Sequence, residues 1–167
     1  MQHVISVTVE NKPGVLSRIS SMFARRGFNI HSMAVGPSAE RDGSRMTLVV
    51  DGPEMEQIVK QLRKLINTIK VTEFDPGEAI ERELCILRVS APAARRSEVL
   101  DVAAAFGAEP VDVGAATVAF ELGGTPSQLS DFLEVMRPYG IVESVKSGRI
   151  ALGRDIKNPQ ATLRAAG

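Results

Sequence analysis

Apolar residues recur along this chain with two periods, one of two residues and one of about 3.6, and the two alternate in the same order twice over. In the first pass, Val4 to Glu10 sets Ile5, Val7 and Val9 on one face and Ser6 and Thr8 on the other, the pattern of a half-buried strand. Asn11 to Gly14 interrupts it, and Pro13 suits a first helical turn, where its missing N–H removes no helical bond. Val15, Leu16, Ile19, Met22 and Phe23 then mark one face of a helix. Arg25 and Arg26 complement the dipole at its end, and Gly27 is a good residue just beyond it. Phe28 to Val35 returns to period two, with Ile30, Ser32 and Ala34 set against Asn29, His31, Met33 and Val35. The polar stretch 36–44 reads as a loop, and Met46 to Val50 as a third strand hairpinned to the second. After Asp51-Gly52-Pro53, the residues Met55, Ile58, Val59, Leu62, Leu65 and Ile66 mark a second helix, and Ile69 to Phe74 a fourth strand.

Asp75-Pro76-Gly77-Glu78 punctuates the chain, and the order begins again. Leu84 to Val89 is a strand, and Ser97 is placed to cap a helix carrying Val99, Leu100, Ala103 and Phe106, closed by Gly107. Pro110 to Val113 and Thr117 to Leu122 are short strands. Gly123-Gly124-Thr125-Pro126 announces a helix with Thr125 as N-cap and Pro126 at its first position. Leu129, Phe132, Leu133 and Met136 give its buried face, Pro138 and Gly140 end it, and Ile141 to Val145 and Ile150 to Leu152 are strand-like. Each pass is βαββαβ, so the expected fold class is α+β, two tandem ferredoxin-like units. The first spans 1–76, a linker 77–82, the second unit 83–155 and a flexible tail 156–167. A unit of this kind leaves one sheet face and its edge strands bare, which makes a homodimer the simplest way to cover them.

Charge narrows the function. Twenty Lys and Arg balance twenty Asp and Glu, so the chain lacks the positive field that nonspecific binding to nucleic acid or an anionic membrane requires. The arginine pairs Arg25-Arg26 and Arg95-Arg96 have no aromatic residues between them, and with no Trp and a single Tyr there is little to stack bases on. One cysteine, no signal-peptide pattern and no apolar run of the ~20 residues that span a bilayer lead to an expected cytoplasmic location.

Catalysis finds little support. His3 and His31 lie on different strands, no metal-ligand spacing is visible, and Cys85 sits in an apolar strand where an inert thiol is the expected state. Carboxylates such as Glu54, Glu56 and Glu78 read as solvated. The turn Glu10-Asn11-Lys12-Pro13-Gly14-Val15-Leu16 has a mechanism of its own. Gly14 lets a ligand approach the backbone, and the first N–H groups of the helix suit a carboxylate. Asn11 and Asn29 add donors and acceptors, and the expectation is that turn and strand head meet at one edge of the unit.

Asn11-Lys12-Pro13-Gly14-Val15-Leu16-Ser17-Arg18, Arg26-Gly27-Phe28-Asn29-Ile30-His31-Ser32, Ser44-Arg45-Met46-Thr47 and the closing Val145-Lys146-Ser147-Gly148-Arg149-Ile150-Ala151-Leu152 together resemble the small, regulatory subunit of acetohydroxyacid (acetolactate) synthase. The resemblance runs to about residue 155, and it identifies the first unit as an ACT domain. It implies a noncatalytic homodimer that binds a large catalytic subunit carrying thiamine diphosphate, Mg²⁺ and FAD. It further implies activation of that subunit and feedback inhibition by valine or another branched-chain amino acid at an ACT–ACT interface. Carried over residue by residue, the effector site comprises Asn11, Gly14 and Asn29, with backbone groups of Val15, Leu16 and Ile30. The competing reading is a ligand-responsive transcription regulator on tandem ferredoxin-like domains, which needs a DNA-binding element that neither end of the pattern supplies.

Overall fold

A computed structural model describes residues 2–39, 42–52 and 55–155 of the chain. Glu54 and the tail 156–167 lie outside the described residues. The first unit consists of β1 (Gln2–Glu10), α1 (Val15–Arg25), β2 (Asn29–Pro37), β3 (Gly43–Asp51), α2 (Met55–Lys64) and β4 (Thr68–Phe74). Its four strands form an antiparallel sheet in the order β2-β3-β1-β4. Ile5, Val7 and Val9 of β1 and Met46, Leu48 and Val50 of β3 pack under Ile19, Met22 and Phe23 of α1 and Ile58, Val59 and Leu62 of α2. Each such side chain stabilises the fold by about 1.5–3 kcal/mol. Gly27, at φ +70, takes the left-handed conformation that ends α1. Leu65 and Ile66 fall beyond α2; Leu65 still packs against the core, but Ile66 stands 87% exposed, so the buried face of the helix ends at Leu62.

The even alternation expected for β2 breaks. A bulge between Ile30 and Ser32 lets Ile30 pair with Val50 and Ser32 with Val49. Ile30 therefore packs on the helix side, while Ser32 and Ala34 turn to the opposite face. β2 also runs on through Gly36 and Pro37, which an edge strand tolerates.

The second unit consists of β5 (Ala79–Ser90), α3 (Arg96–Ala105), β6 (Glu109–Val113), β7 (Thr117–Gly124), α4 (Pro126–Met136), β8 (Ile141–Lys146) and β9 (Ile150–Gly153). Its sheet order is β6-β7-β5-β8, with β9 pairing the first part of β5. Leu87, Val89, Phe120, Phe132 and Met136 centre its core, and the rings of Phe106 and Phe132 lie 5.5 Å apart. Thr125 caps α4 as its sequence suggested, in a reciprocal box with Gln128. Ser97 does not cap α3; Arg95 holds that position and makes no side-chain capping bond. The neighbouring Arg96 instead donates to the carbonyls of Ala91 (3.3 Å), Gly114 (2.9 Å) and Ala115 (2.5 Å).

The segment 77–82 is not a separate linker. From Ala79 onward it is β5, and Ala79 to Arg82 pair with Gly153 to Ile150 of β9. The inward face of this ribbon carries Ala79, Ala151 and Gly153, small enough for it to lie on the helix-free face of the first sheet. Ala79 and Ala151 are buried there with Val4, Val49 and Phe74. Such short side chains leave no hydrophobic period to read. The ribbon covers Val4 of β1, and with Ser6 and Thr8 also buried further along, that strand is enclosed on both faces rather than one.

Polar bonds fix the seam. Ala151 N–H donates to Thr47 Oγ1 (3.3 Å), and Arg45 donates to Ala151 O (3.1 Å) and to Ser6 Oγ (3.0 Å). Arg149 N–H donates to Ser32 Oγ (2.9 Å). Gly148, at φ +82, lies so close to β2 that a Cβ would stand 3.1 Å from Ser32 Oγ and 3.2 Å from Met33 O. Thr47→Val keeps the shape of the buried side chain and removes the acceptor of Ala151 N–H. We predict a destabilisation of about 1–3 kcal/mol, measured by urea unfolding; an unchanged midpoint would exclude this bond as a support of the seam.

Candidate functional site

The turn between β1 and α1 is open. Gly14 adopts φ +83 at the N-cap of α1, and a Cβ there would meet no atom within 4 Å. Asn11 N–H donates to Asp42 O (2.8 Å), Lys12 N–H to Glu10 O (2.9 Å) and, weakly, Val15 N–H to Lys12 O (3.4 Å). The first helical bond that follows is Arg18 N–H to Gly14 O (3.0 Å). Among the described residues, the N–H groups of Leu16 and Ser17 have no acceptor. Two free donors and the positive end of an 11-residue helix thus face outward, a chemistry suited to a carboxylate. Val15 is buried in the first core, so it can offer a ligand only its backbone, whereas Leu16 is 45% exposed.

Glu10 and Asn67 frame this turn. Glu10 N–H donates to Asn67 O (2.9 Å), and Asn67 Nδ2 donates to Glu10 Oε2 (2.7 Å). Asn67 Oδ1 accepts from Arg18 (2.8 Å), and Lys12 Nζ lies 2.9 Å from the Glu10 carboxylate. The donors on Lys12 and Asn67 hold that carboxyl below its ordinary value. No sequence signal announces Asn67, because its partner Glu10 is far away in the chain.

Asn29 and Ile30 do not meet the turn within one chain. β1 and β2 both run antiparallel to β3, hence in the same direction. Asn29 pairs with Asp51, which pairs with Gln2, so the head of β2 sits at the start of β1. Asn11 follows the far end of β1, about 26 Å away at the rise of an extended strand. The single edge expected from the sequence is therefore two separate ends, joined by the outer edge of β2, which pairs with no strand among the described residues. Met33 and Val35 lie exposed along that strand at 41% and 45%.

Asn29 itself is exposed, and beside it His31 Nε2 contacts Asp51 Oδ2, tying the head of β2 to the end of β3. His3 likewise faces Glu73, at 3.4 Å. Each histidine thus has a carboxylate partner from a neighbouring strand, which the sequence pattern did not reveal. Among the described residues no group of three or more His, Cys, Asp or Glu is placed to hold a metal, and no helix is long and apolar enough to cross a membrane. Cys85 is fully buried, and burial pushes its thiol up, toward the protonated and unreactive form.

Comparison with known proteins covers both units. Residues 5–70 match the family described as AHAS small subunit-like ACT domain, and residues 82–155 the family described as small subunit of acetolactate synthase. The chain is 46% identical over 159 residues to a probable acetolactate synthase small subunit of Archaeoglobus fulgidus, covering 94% of this chain and 99% of that one. It is 47% identical over 155 residues to the acetolactate synthase small subunit of Mycolicibacterium smegmatis, covering 91% of each. The crystal structure of an acetolactate synthase small subunit from Thermotoga maritima superposes with a TM-score of 0.85 at 33% identity, covering 92% of this chain and 98% of that one.

The His31 contact holds the Asp51 carboxyl below its ordinary value. A carboxyl depressed in the folded state stabilises the fold above its unfolded pKa of about 4, and the stabilisation is lost as pH falls through the folded value. His31→Ala should therefore flatten the acid limb of the stability curve, lowering the melting temperature at neutral pH while leaving it nearly unchanged at pH 2. Parallel curves for variant and wild type across that range would show that the contact adds nothing.

Proposed function

The chain belongs to the acetolactate synthase small-subunit family, and on that premise we propose that it binds a branched-chain amino acid between two copies of its first unit and passes that signal to the catalytic subunit. Members of this family are noncatalytic regulatory subunits in branched-chain amino acid biosynthesis. The partner in this reading is the large subunit, which carries thiamine diphosphate, Mg²⁺ and FAD. The small subunit raises its activity and makes it inhibitable by valine, leucine or isoleucine.

The observation that carries the site assignment is the open start of α1 at one end of an unpaired β2 edge. Two copies joined edge to edge along antiparallel β2 strands, about a twofold axis near Met33, put the Asn29 end of one beside the Pro37 end of the other. Pro37 pairs with Ser44, which pairs with Val9, so that end is also the end of the Asn11–Leu16 turn. Each half-site then finds its complement in the second copy. The exposed Leu16, Met33 and Val35 give such an edge apolar contact.

In this arrangement the effector's carboxylate takes the Leu16 and Ser17 N–H groups, an interaction of about 0.3–1 kcal/mol from the helix dipole at an exposed site. Its ammonium takes the side-chain oxygens of Asn11 or Asn29 and a strand carbonyl. Its hydrocarbon rests on Leu16 and Ile30 at about 0.8 kcal/mol per buried CH₂. Gly14 keeps the approach clear.

Calorimetric titration of the full chain with valine, leucine and isoleucine tests the proposal. At least one should bind, and Asn11→Ala and Asn29→Ala should each weaken it. Effector at one hundred times its Kd should raise the unfolding free energy by about 2.7 kcal/mol, read as thermal protection. Gly14→Asp has room for its side chain, and aspartate tolerates φ > 0. The variant should fold yet lose inhibition in the reconstituted enzyme, because its carboxylate occupies the effector's place with like charge. Full valine sensitivity in Gly14→Asp would sink the site assignment.

A further inference from the structure

The turn that receives the effector in the reading above is nine residues long from Glu10 to Arg18 and has few ties of its own. Gly14 is its N-cap without a side chain, and Asn11 N–H to Asp42 O fastens its first half. Its two flanks are joined by one outside residue. Asn67 stands between α2 and β4, and its main chain is fixed to β1 by the Glu10 N–H bond. From there its amide reaches both ways, giving a donor to the Glu10 carboxylate and an acceptor to the Arg18 guanidinium. The charges on either side set the orientation of the amide, since the reverse placement would face nitrogen to a cation and oxygen to an anion.

We propose that Asn67 is a positioning residue of the effector site: by bridging Glu10 and Arg18 it holds the Asn11–Leu16 turn in the open form that leaves the Leu16 and Ser17 N–H groups free. This inference rests on the effector reading. Stability alone does not account for the bridge. Arg18 is exposed and Asn67 half-buried, and polar contacts at such positions add little to folding. What the bridge does fix is geometry. Glu10 ends β1, one of the two inner strands, Arg18 lies in the first turns of α1, and their separation sets how far the start of α1 tilts from the sheet. Lys12, bonded to the same carboxylate, keeps Glu10 ionised, so the bridge persists across the neutral range.

The amide's two-sided chemistry supplies the test. In the full chain, Asn67→Ala should leave the melting temperature without effector within about 2 °C of wild type. It should also weaken valine binding about tenfold by calorimetry, with the inhibition midpoint of the reconstituted enzyme moving by the same factor. Asn67→Asp sets a carboxylate against Glu10 and should weaken binding further. Combining Asn67→Asp with Glu10→Gln exchanges donor and acceptor between the two positions, keeps an acceptor for Arg18, and should restore binding to within about threefold of wild type. Wild-type affinity in Asn67→Ala overturns the assignment, as does a double variant no better than Asn67→Asp. Loss of affinity matched by a large fall in melting temperature in all three variants overturns it in favour of a purely structural role. If the wild-type chain binds none of the three amino acids, both the effector reading and this inference fall; binding by wild type together with an unchanged Asn67→Ala removes the role of Asn67 alone.

Discussion

A strand holds its two ends apart, and β1 does so for everything that matters at this surface. It is buried on both faces and paired on both edges. Its nine residues separate the Asn11–Leu16 turn from the head of β2. No rearrangement of loops can close that gap without breaking the sheet. A ligand that needs Gly14 and Asn29 together must therefore be met by two chains. The homodimer, which first suggested itself as a cover for bare edges, becomes on the proposed reading a condition for having a site at all.

The repeat of one topology does not produce two equivalent sites. In the first unit the strand-to-helix turn carries Gly14 at φ +83 and leaves donors free. In the second, the corresponding turn after β5 carries no glycine, and the Arg96 guanidinium sits across it, bonded to carbonyls of Ala91, Gly114 and Ala115. A cation of the chain's own fills that place and stitches the turn to the β6–β7 connection. One copy of the fold keeps this turn open, and the other uses the same corner to brace itself. The second unit spends its spare strand length differently, sending the first third of β5 with β9 onto the first sheet.

Hydrophobic period made the βαββαβ order and both helix-side cores legible, because large apolar residues at fixed spacing leave few alternatives. Thr125 with Gln128 was equally readable, since a capping box is local. Features built from small or distant residues were not. Ala79, Ala151 and Gly153 carry no period, so the ribbon that covers Val4 and Val49 was invisible and 77–82 looked like a linker. The bulge at His31 shifted which residues share a face, and a single extra residue leaves no mark in composition. The separation of Asn29 from Asn11 was in principle available. β1 and β2 flank β3 in an antiparallel sheet and so run the same way, which puts their first residues, not the end of one and the start of the other, side by side. Motif adjacency in sequence concealed that geometry. Asn67 could be found only in three dimensions.

The seam between the units bears on how an effector signal can travel. Thr47, Arg45 and Ser32 bond the β9 segment to the first sheet, and Gly148 leaves no slack against β2. A packed and bonded contact of this kind resists graded deformation. Among the described residues, the turn at Gly14 and the outer edge of β2 carry fewer such ties. A ligand shared between copies would act on those, and it can shift the pairing only by binding one arrangement better than another. Linkage then runs both ways: if the effector disfavours the complex with a catalytic subunit, that complex weakens the effector by the same factor. Because the second unit is bonded to β2 through Ser32, any change in how two β2 edges sit together displaces that unit as well. The displaced surface would include the face of β5 that carries the exposed Ile80, Leu84 and Ile86. On the proposed reading, the path from a bound amino acid to a partner subunit would need no flexible relay, only two copies whose bonded halves share one adjustable edge.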